Sequence, residues 1–520
     1  MNDWIEEEFR AVQLGDERLN KRLRQLLARK WQHPQRSFSA ACQGRAEIEA
    51  ASRFFDNAQA APDKILAPHR AAIVERIRQG GYRRVLLVHD TTELDFSTHE
   101  KLQGAGPLSS QDRRGFFAHN LLVVTPERVP LGLWHTFLYA RDDAEHGKAA
   151  ERKDRPIEQK ESFRWLEGFR EACALAGLVP GCEVLCVADR ESDIYEVFVE
   201  YAQRRAQGLP VAELLIRSKE DRGVEPGPEM GEVLVPPSAA PAAAGETTAV
   251  PNPSVAAAPP PPAAEKPAPQ RILGRLAAAP VLGTVKFRVP AATHDRKVKG
   301  NTRQITRSAR VVEQEIRAIP LRLRPPYRSA KAGGALPAVT MYVVAARELH
   351  PPAGEEPLVW VLLTTLPVAS FEQAGAVLEL YLARWEIELL HRVVKSGCRV
   401  EQVQQRFDFR IKPAIVLYLI VAWRLLFVMR MGRACPELPC DLVFDESEWK
   451  PVVVVLRGRA ALAHKPTLGE MVGMVGELGG FVPRKNDASP GMKSMWLGMM
   501  RVADFALCWE CFGRPTADTS

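Results

Sequence analysis

A mixed α/β fold flanked by helical regions is what the order of hydrophobic patterns in this chain predicts, and three observations carry it. Short apolar runs of strand character recur at Arg84–Asp90, Asn120–Val124, Leu131–Trp134 and Glu183–Asp189. A helical segment around residues 161–176 falls between the third and fourth runs, and strands followed by a helix and a further strand read as one mixed sheet. Helical stretches without such runs occupy both ends of the chain.

In chain order, residues 1–76 predict a small helical module, with a helix start at Gly15-Asp16-Glu17 before an amphipathic run. Residues 77–210 hold the first part of the sheet. Residues 211–366 predict a β-rich insertion, with strands at Thr284–Val289, Ala309–Val312, Met341–Ala345 and Val359–Leu363. Inside it, residues 236–269 form an Ala/Pro tract with almost no large apolar side chain. Such a tract cannot bury enough surface to order itself, and its 11 prolines explain much of the excess in a chain that has 40. Residues 367–412 return to the core with a helix over residues 370–396. Residues 413–520 are helical again, apart from a basic turn at Gly479-Gly480-Phe481-Val482-Pro483-Arg484-Lys485.

Composition narrows the class. A length of 520 residues argues for three or four domains, and 46% hydrophobic with 26% charged residues excludes a wholly disordered, collagen-like or multi-span membrane chain. The run Ala414–Met429 is interrupted by Arg424 and shorter than the roughly 20 apolar residues of a span, so a buried helix is expected and no membrane partner. Residues Met1 to Glu8 lack a basic flank followed by an apolar run, so a cytoplasmic location is expected. Nine scattered cysteines then point to reduced thiols, and Cys435/Cys440 and Cys508/Cys511 read as small buried hydrophobes in preference to zinc ligands.

Three carboxylates stand out by position. Asp90 and Asp189 each close an apolar strand, where ligands of an α/β sheet collect, and Glu388 lies within the following helix. Three converging carboxylates suit two hard cations, magnesium or alternatively manganese, because such ions take oxygen ligands and stabilise both oxygens of a phosphoryl transfer. Without a cation they would raise each other's pKa. Tyr381, Arg384, Glu388 and Lys395 are spaced to share one face of a single helix. His89 and His391 lie beside these positions and read as hydrogen-bonded neighbours, not as ligands.

The spacing Tyr381-x-x-Arg384-x-x-x-Glu388-x-x-x-x-x-x-Lys395 resembles the Y-R-E-K signature of the DDE transposases of the insertion-sequence-four family. Asp90-Thr91-Thr92 resembles that family's D-T-T motif, and Asp189-Arg190-Glu191-Ser192-Asp193-Ile194 its D-R-E-A-D-I segment, with Ser192 in place of alanine. The likeness extends to Arg53-Phe54-Phe55-Asp56-Asn57, Gly115-Phe116-Phe117-Ala118-His119 and Gly479-Gly480-Phe481, and so spans nearly the whole chain outside the Ala/Pro tract. It implies a ribonuclease-H-like catalytic domain interrupted by a β-rich insertion, an amino-terminal domain that binds transposon-end inverted repeats, and carboxy-terminal helices that dimerise. It implies Asp90, Asp189 and Glu388 as metal-binding catalytic residues. Tyr381, Arg384 and Lys395 become phosphate contacts, and Trp360 a stacking surface for a flipped base.

The charge pattern points the same way. The net charge is only +7, yet residues 286–331 hold thirteen basic residues against three acidic ones, a net of +10 suited to a phosphate backbone. Arg217 and Lys219 extend this surface, and Arg53 is a candidate contact to the transposon end. The expected activity is metal-dependent cleavage at transposon ends and transfer to target DNA through a hairpin, by a homodimer found on the nucleoid when DNA-bound. A related nuclease and a catalytically idle DNA-binding derivative are the rival readings.

Overall fold

The amino-terminal region begins as its capping chemistry dictates. Asp16 accepts a hydrogen bond from the Arg18 N–H (2.8 Å) and Gly15 adopts φ 81°, starting a helix where the Gly-Asp-Glu triplet predicts one. The computed structural model describes residues 3–110, 112–143, 155–226, 270–298, 301–326, 336–483 and 489–512. Five helices come first: α1 (Asp3–Glu8), α2 (Glu17–Gln32), α3 (Phe38–Ala41), α4 (Arg45–Phe55) and α5 (Pro62–Gly80). The last runs beyond residue 76 and stops at Gly81 in the left-handed conformation.

The sheet follows, with β1 (Arg84–Asp95), β2 (Gly106–Pro107), β3 (Arg114–Val124), β4 (Pro130–Tyr139), α6 (Phe163–Leu178), β5 (Glu183–Ala188), α7 (Tyr195–Ala206) and β6 (Glu213–Arg217). Then come α8 (Ile272–Ala278), β7 (Gly283–Val289), the hairpin strands β8 (Ala292–Val298) and β9 (Asn301–Arg307), β10 (Arg310–Leu323), β11 (Val339–Glu348) and β12 (Val359–Thr364). Among the described residues ten strands form one mixed sheet in the order β2-β3-β1-β5-β6-β12-β11-β10-β7, with β4 also on β3. Strands β1, β5 and β6 run parallel, and the remaining pairs are antiparallel.

Both faces of the central strands are covered. Along β1, Leu86 and Val88 enter one core and Val85 and Leu87 the other, the period-two alternation of a buried strand. The first core holds α9 (Phe371–Leu382), α10 (Trp385–Arg392) and α11 (Asp408–Ala434), and the second holds α6 and α7. The chain ends in α12 (Glu446–Arg457), α13 (Leu468–Leu478) and α14 (Met492–Phe512). Helix α11 is long and apolar enough to cross a membrane, but it is the buried helix expected of residues 414–429, with Arg424 donating to the Val443 carbonyl at 3.0 Å.

Several local expectations are corrected. Strand β1 continues to Asp95, so Asp90 lies within it; the polar residues Thr91 to Glu93 stay in extended conformation because β3 pairs with them through Gly115. The β-rich stretch joins the core sheet, since β12 pairs directly with β6. The helix expected over residues 370–396 is three segments: α9, α10 and a π-helical turn at Val393–Gly397. Among the described residues no cysteine pair gathers into a metal cluster, and Cys508 and Cys511 are exposed where burial was expected. The Ala/Pro tract, Arg484 and Lys485 lie outside the described residues.

The Gly-Gly-Phe segment has a packing role. A Cβ at Gly479 would stand 1.8 Å from the Ser494 carbonyl oxygen, and one at Gly498 1.8 Å from the Val475 carbonyl oxygen, so α13 and α14 cross with their backbones almost touching. Gly480 holds φ 85° in the turn that follows. Gly498→Ala is therefore expected to separate these helices and cost about 1–3 kcal/mol, seen as an earlier denaturant midpoint, while Gly473→Ala on the open side of α13 moves the midpoint later, by about 0.5–1 kcal/mol of helix propensity.

Candidate active site

The parallel ladder between β1 and β5 ends at the pair Val88–Val187. Asp90 and Asp189 each lie two residues beyond that pair, so the two-residue side-chain period sends both toward the face that Val88 and Val187 occupy. That face is covered by α9 and α10. The Thr91 N–H donates to Asp90 Oδ1 at 2.7 Å, and the Glu191 N–H donates to Asp189 Oδ1 at 2.8 Å. Each carboxylate thus has one oxygen fixed by backbone.

The third carboxylate arrives across a kink. The Arg384 N–H reaches back to the Tyr381 carbonyl (3.1 Å) and the Ile387 N–H to the Arg384 carbonyl (3.2 Å), a local i→i−3 tightening that separates α9 from α10. Tyr381 therefore turns inward, 2% exposed and edge-on to half-buried Trp360 at 5.8 Å. Arg384 faces the strands. Its Nη1 donates to Asp90 Oδ2 (3.2 Å) and its Nη2 to Glu388 Oε1 (2.6 Å), so one guanidinium spans two of the three carboxylates. Lys395 sits in the π-turn, half-buried, and does not continue a regular helical stripe from Glu388.

The electrostatics follow from this crowding. Burial and the neighbouring charge of Asp189, with a smaller push from Glu388, hold the Asp90 carboxyl up at about 7 against the opposing pull of Arg384 and the Thr91 N–H. Burial works against the charged form of Arg384, but Tyr381, Glu388 and Asp90 outweigh it and raise its pKa. Burial, followed by the charges of Lys395 and Arg384, pushes His391 down to about 3, and the Asn120 amide nitrogen lies 3.0 Å from its Nε2. His89 is likewise pushed down to about 3 by burial. Both imidazoles are within hydrogen-bond distance of a neighbour, His391 of Asn120 and His89 of His119. The donor set of Asp90, Asp189 and Glu388 is all oxygen, the type that magnesium or manganese takes. Among the described residues, however, no three ligand-type side chains already stand as a metal cluster, and Arg384 bridges two of these carboxylates.

The other expected residues are distributed around this centre. Arg217 ends β6 next to β5 and donates to the Val359 carbonyl at 3.3 Å; burial first, then Arg190, lower its pKa, with Tyr381, Arg384 and Asp189 also acting on it. Lys219 is exposed in the next turn, and its N–H donates to buried Asp193, which also takes two bonds from Arg222. The second aspartate of the D-R-E-S-D-I segment thus anchors a turn. Arg53 is exposed on α4 beside Glu49, apart from this cluster.

Sequence reasoning passed over Arg164, Arg190 and Trp385. Exposed Trp385 lies with its ring 5.4 Å from the Arg384 guanidinium, a position signalled only by adjacency to the signature arginine. The +10 window is partly neutralised. Arg310 pairs with Glu348 and Glu355, Arg322 with Glu225, Arg317 with Glu315 and Lys286 with Glu313, whereas Arg288 and Arg324 are exposed. Lys299, Arg328 and Lys331 lie outside the described residues.

Two stretches of the chain match known protein families. Residues 1–60 match a transposase DNA-binding family, and residues 420–517 match the dimerisation domain of transposase Tn5. Together the matches support a DNA transposase.

Asp90 carries a sharp pH prediction. Its folded pKa lies above its unfolded value, so the folded state binds the extra proton between about pH 4 and 7 and stability falls as pH rises through that window. Asp90→Asn removes the effect. Its unfolding free energy is expected to exceed that of the parent at pH 8 by an amount on the order of 2 kcal/mol once the weakened Arg384 contact is deducted, seen as a higher melting temperature, and to converge with it near pH 4. Equal gaps at both pH values would contradict the crowding.

Proposed function

We propose that the protein is a DDE transposase of the insertion-sequence-four type, with a ribonuclease-H-like core that cuts DNA at transposon ends and joins them to target DNA. The observation that carries this reading is the level placement of Asp90 and Asp189 beyond the last β1–β5 pair, with Glu388 tied to Asp90 through Arg384. The matches to transposase DNA-binding and dimerisation families at the two ends of the chain support it independently. The strand order β4-β3-β1-β5-β6, an antiparallel meander followed by parallel strands, supports the core assignment.

Asp90, Asp189 and Glu388 would hold two magnesium ions, with manganese as substitute, and such ions supply activation of an attacking water or 3′-hydroxyl and stabilise the leaving oxygen. The chain's own residues do the rest. Arg384 compensates the carboxylates before DNA arrives and is placed to turn a hydrogen-bond donor toward a phosphate. Arg217, Lys219 and Lys395 would add further cationic contacts, and Tyr381 backs Trp360, whose half-exposed ring would offer a stacking surface to an unpaired base. Arg53, on the segment that matches the DNA-binding family, would meet the inverted repeat. A homodimer would hold both ends, with a hairpin as the intermediate.

The reading is tested by incubating the protein with the DNA that flanks its own gene and with Mg2+ or Mn2+, followed by denaturing electrophoresis. Nicks at the element ends and a slower-migrating hairpin strand are expected, with rates reduced at least about a thousandfold by Asp189→Ala or Glu388→Ala and with end binding retained. Binding without any cleavage would favour the catalytically idle derivative. Cleavage without joined products would favour a nuclease.

A further inference from the structure

We propose that Arg164 is a positioning residue that locks the Asp90 strand to the Asp189 turn and so sets the spacing of the two carboxylates. The inference rests on the function proposed above for those carboxylates. Beyond Val88–Val187 no ladder pair joins β1 to β5, so backbone hydrogen bonding stops just short of where the two side chains must keep their separation. Something else has to fix it.

Arg164, in the first turn of α6, reaches over that gap. Its Nε donates to Thr91 Oγ1 at 2.9 Å, its Nη2 to Glu191 Oε2 at 2.8 Å and its Nη1 to the Glu161 carbonyl of its own helix start at 2.7 Å. Thr91 and Glu191 are the same two residues whose N–H groups hold Asp90 Oδ1 and Asp189 Oδ1. One planar guanidinium therefore grips, by side chain, both residues that grip the carboxylates by backbone. The grip is rigid because the Arg164 side chain is only 12% exposed and its three acceptors lie in three directions that a guanidinium fork matches and an ammonium cannot. A second support meets the same hydroxyl: His119 Nδ1 lies 2.8 Å from Thr91 Oγ1, and buried His119 in turn lies 3.1 Å from His89. Arg164 touches neither Asp90 nor Asp189, so it acts by position.

Hydrogen–deuterium exchange of the full chain, without DNA or metal, tests the lock apart from any activity. In Arg164→Gln, exchange is expected to speed up by about tenfold or more in both segments 88–93 and 189–193, while the β10–β11 pair keeps its protection and the melting temperature moves by only a few degrees. Arg164→Lys should recover part of one segment only, since an ammonium can satisfy fewer of the three acceptors. Glu191→Gln, which keeps the Thr91 leg, should loosen segment 189–193 alone. Unchanged exchange in both segments of Arg164→Gln overturns the proposal, as does loosening spread evenly over the sheet. Cleavage of the gene's flanking DNA by the unaltered protein reports separately on the proposed function, and there Arg164→Gln should lose about a hundredfold in rate at saturating Mn2+ with DNA binding kept.

Discussion

A single buried guanidinium, that of Arg384, holds Glu388 four residues away and Asp90 294 residues away, and the rest of the site is arranged around that contact. At about 3 Å and an effective dielectric near 20, each such pair attracts by roughly 5 kcal/mol, which is comparable to the cost of burying the charges. Burial first, and then the charge of Asp189, hold the Asp90 carboxyl up at about 7 even with Arg384 in place. Such a site is only partly compensated. It favours cations, whether a side chain or an ion supplies them, and a phosphate can share Arg384 only if other positive charge takes over at the carboxylates.

That contact depends on a sheet that runs without interruption from the carboxylate-bearing strands to the far β-rich edge. Strand β12 is antiparallel to β6, and α9 follows directly from β12, so the register of β12 on β6 fixes where Arg384 and Glu388 begin their approach. The basic character of this region is correspondingly less free than its count suggests. Arg310 is committed to Glu348 and Glu355, acids that lie outside the counted window, and Arg317 reaches the Ala277 and Ala279 carbonyls at the end of α8. Net charge over a window measures what a stretch carries. It does not measure what the stretch offers to a phosphate.

The same distinction separates what was legible in the sequence from what was not. Apolar runs revealed the strands, and Asp189 could be read as a strand-end residue because β5 stops at Ala188 with a turn that its own side chain caps. Asp90 was found for a partly mistaken reason: its strand does not end there, and only its partner β5 does. The break before α10 was hidden because i→i−3 bonding at residues 381–387 leaves the apolar periodicity almost intact. Tyr381 was therefore read as sharing one face of a continuous helix with Arg384, and it is instead buried against Trp360. Arg164 carried no signal at all, since its bonds to Thr91 and Glu191 join segments that only the fold brings together.

Helix α11 binds these parts into one mechanical unit. Toward the amino-terminal helices, Trp423 meets Trp4 edge-on and Lys30 stands 3.9 Å above the Tyr418 ring. Toward the sheet, Trp423 donates to the Pro130 carbonyl at 2.8 Å. Toward the carboxylates, Arg430 forms a bidentate pair with Glu386, which is buried two residues beyond Arg384. The segment matching the DNA-binding family and the segment matching the dimerisation family thus share a core with the candidate active site, and Trp31 reaches Glu448 on α12 directly. Close-packed interiors yield by discrete rearrangement and resist gradual deformation. A displacement of the amino-terminal helices large enough to open their contact with α11 would therefore have to break the Trp4–Trp423, Lys30–Tyr418 and Arg410–Asp56 contacts together.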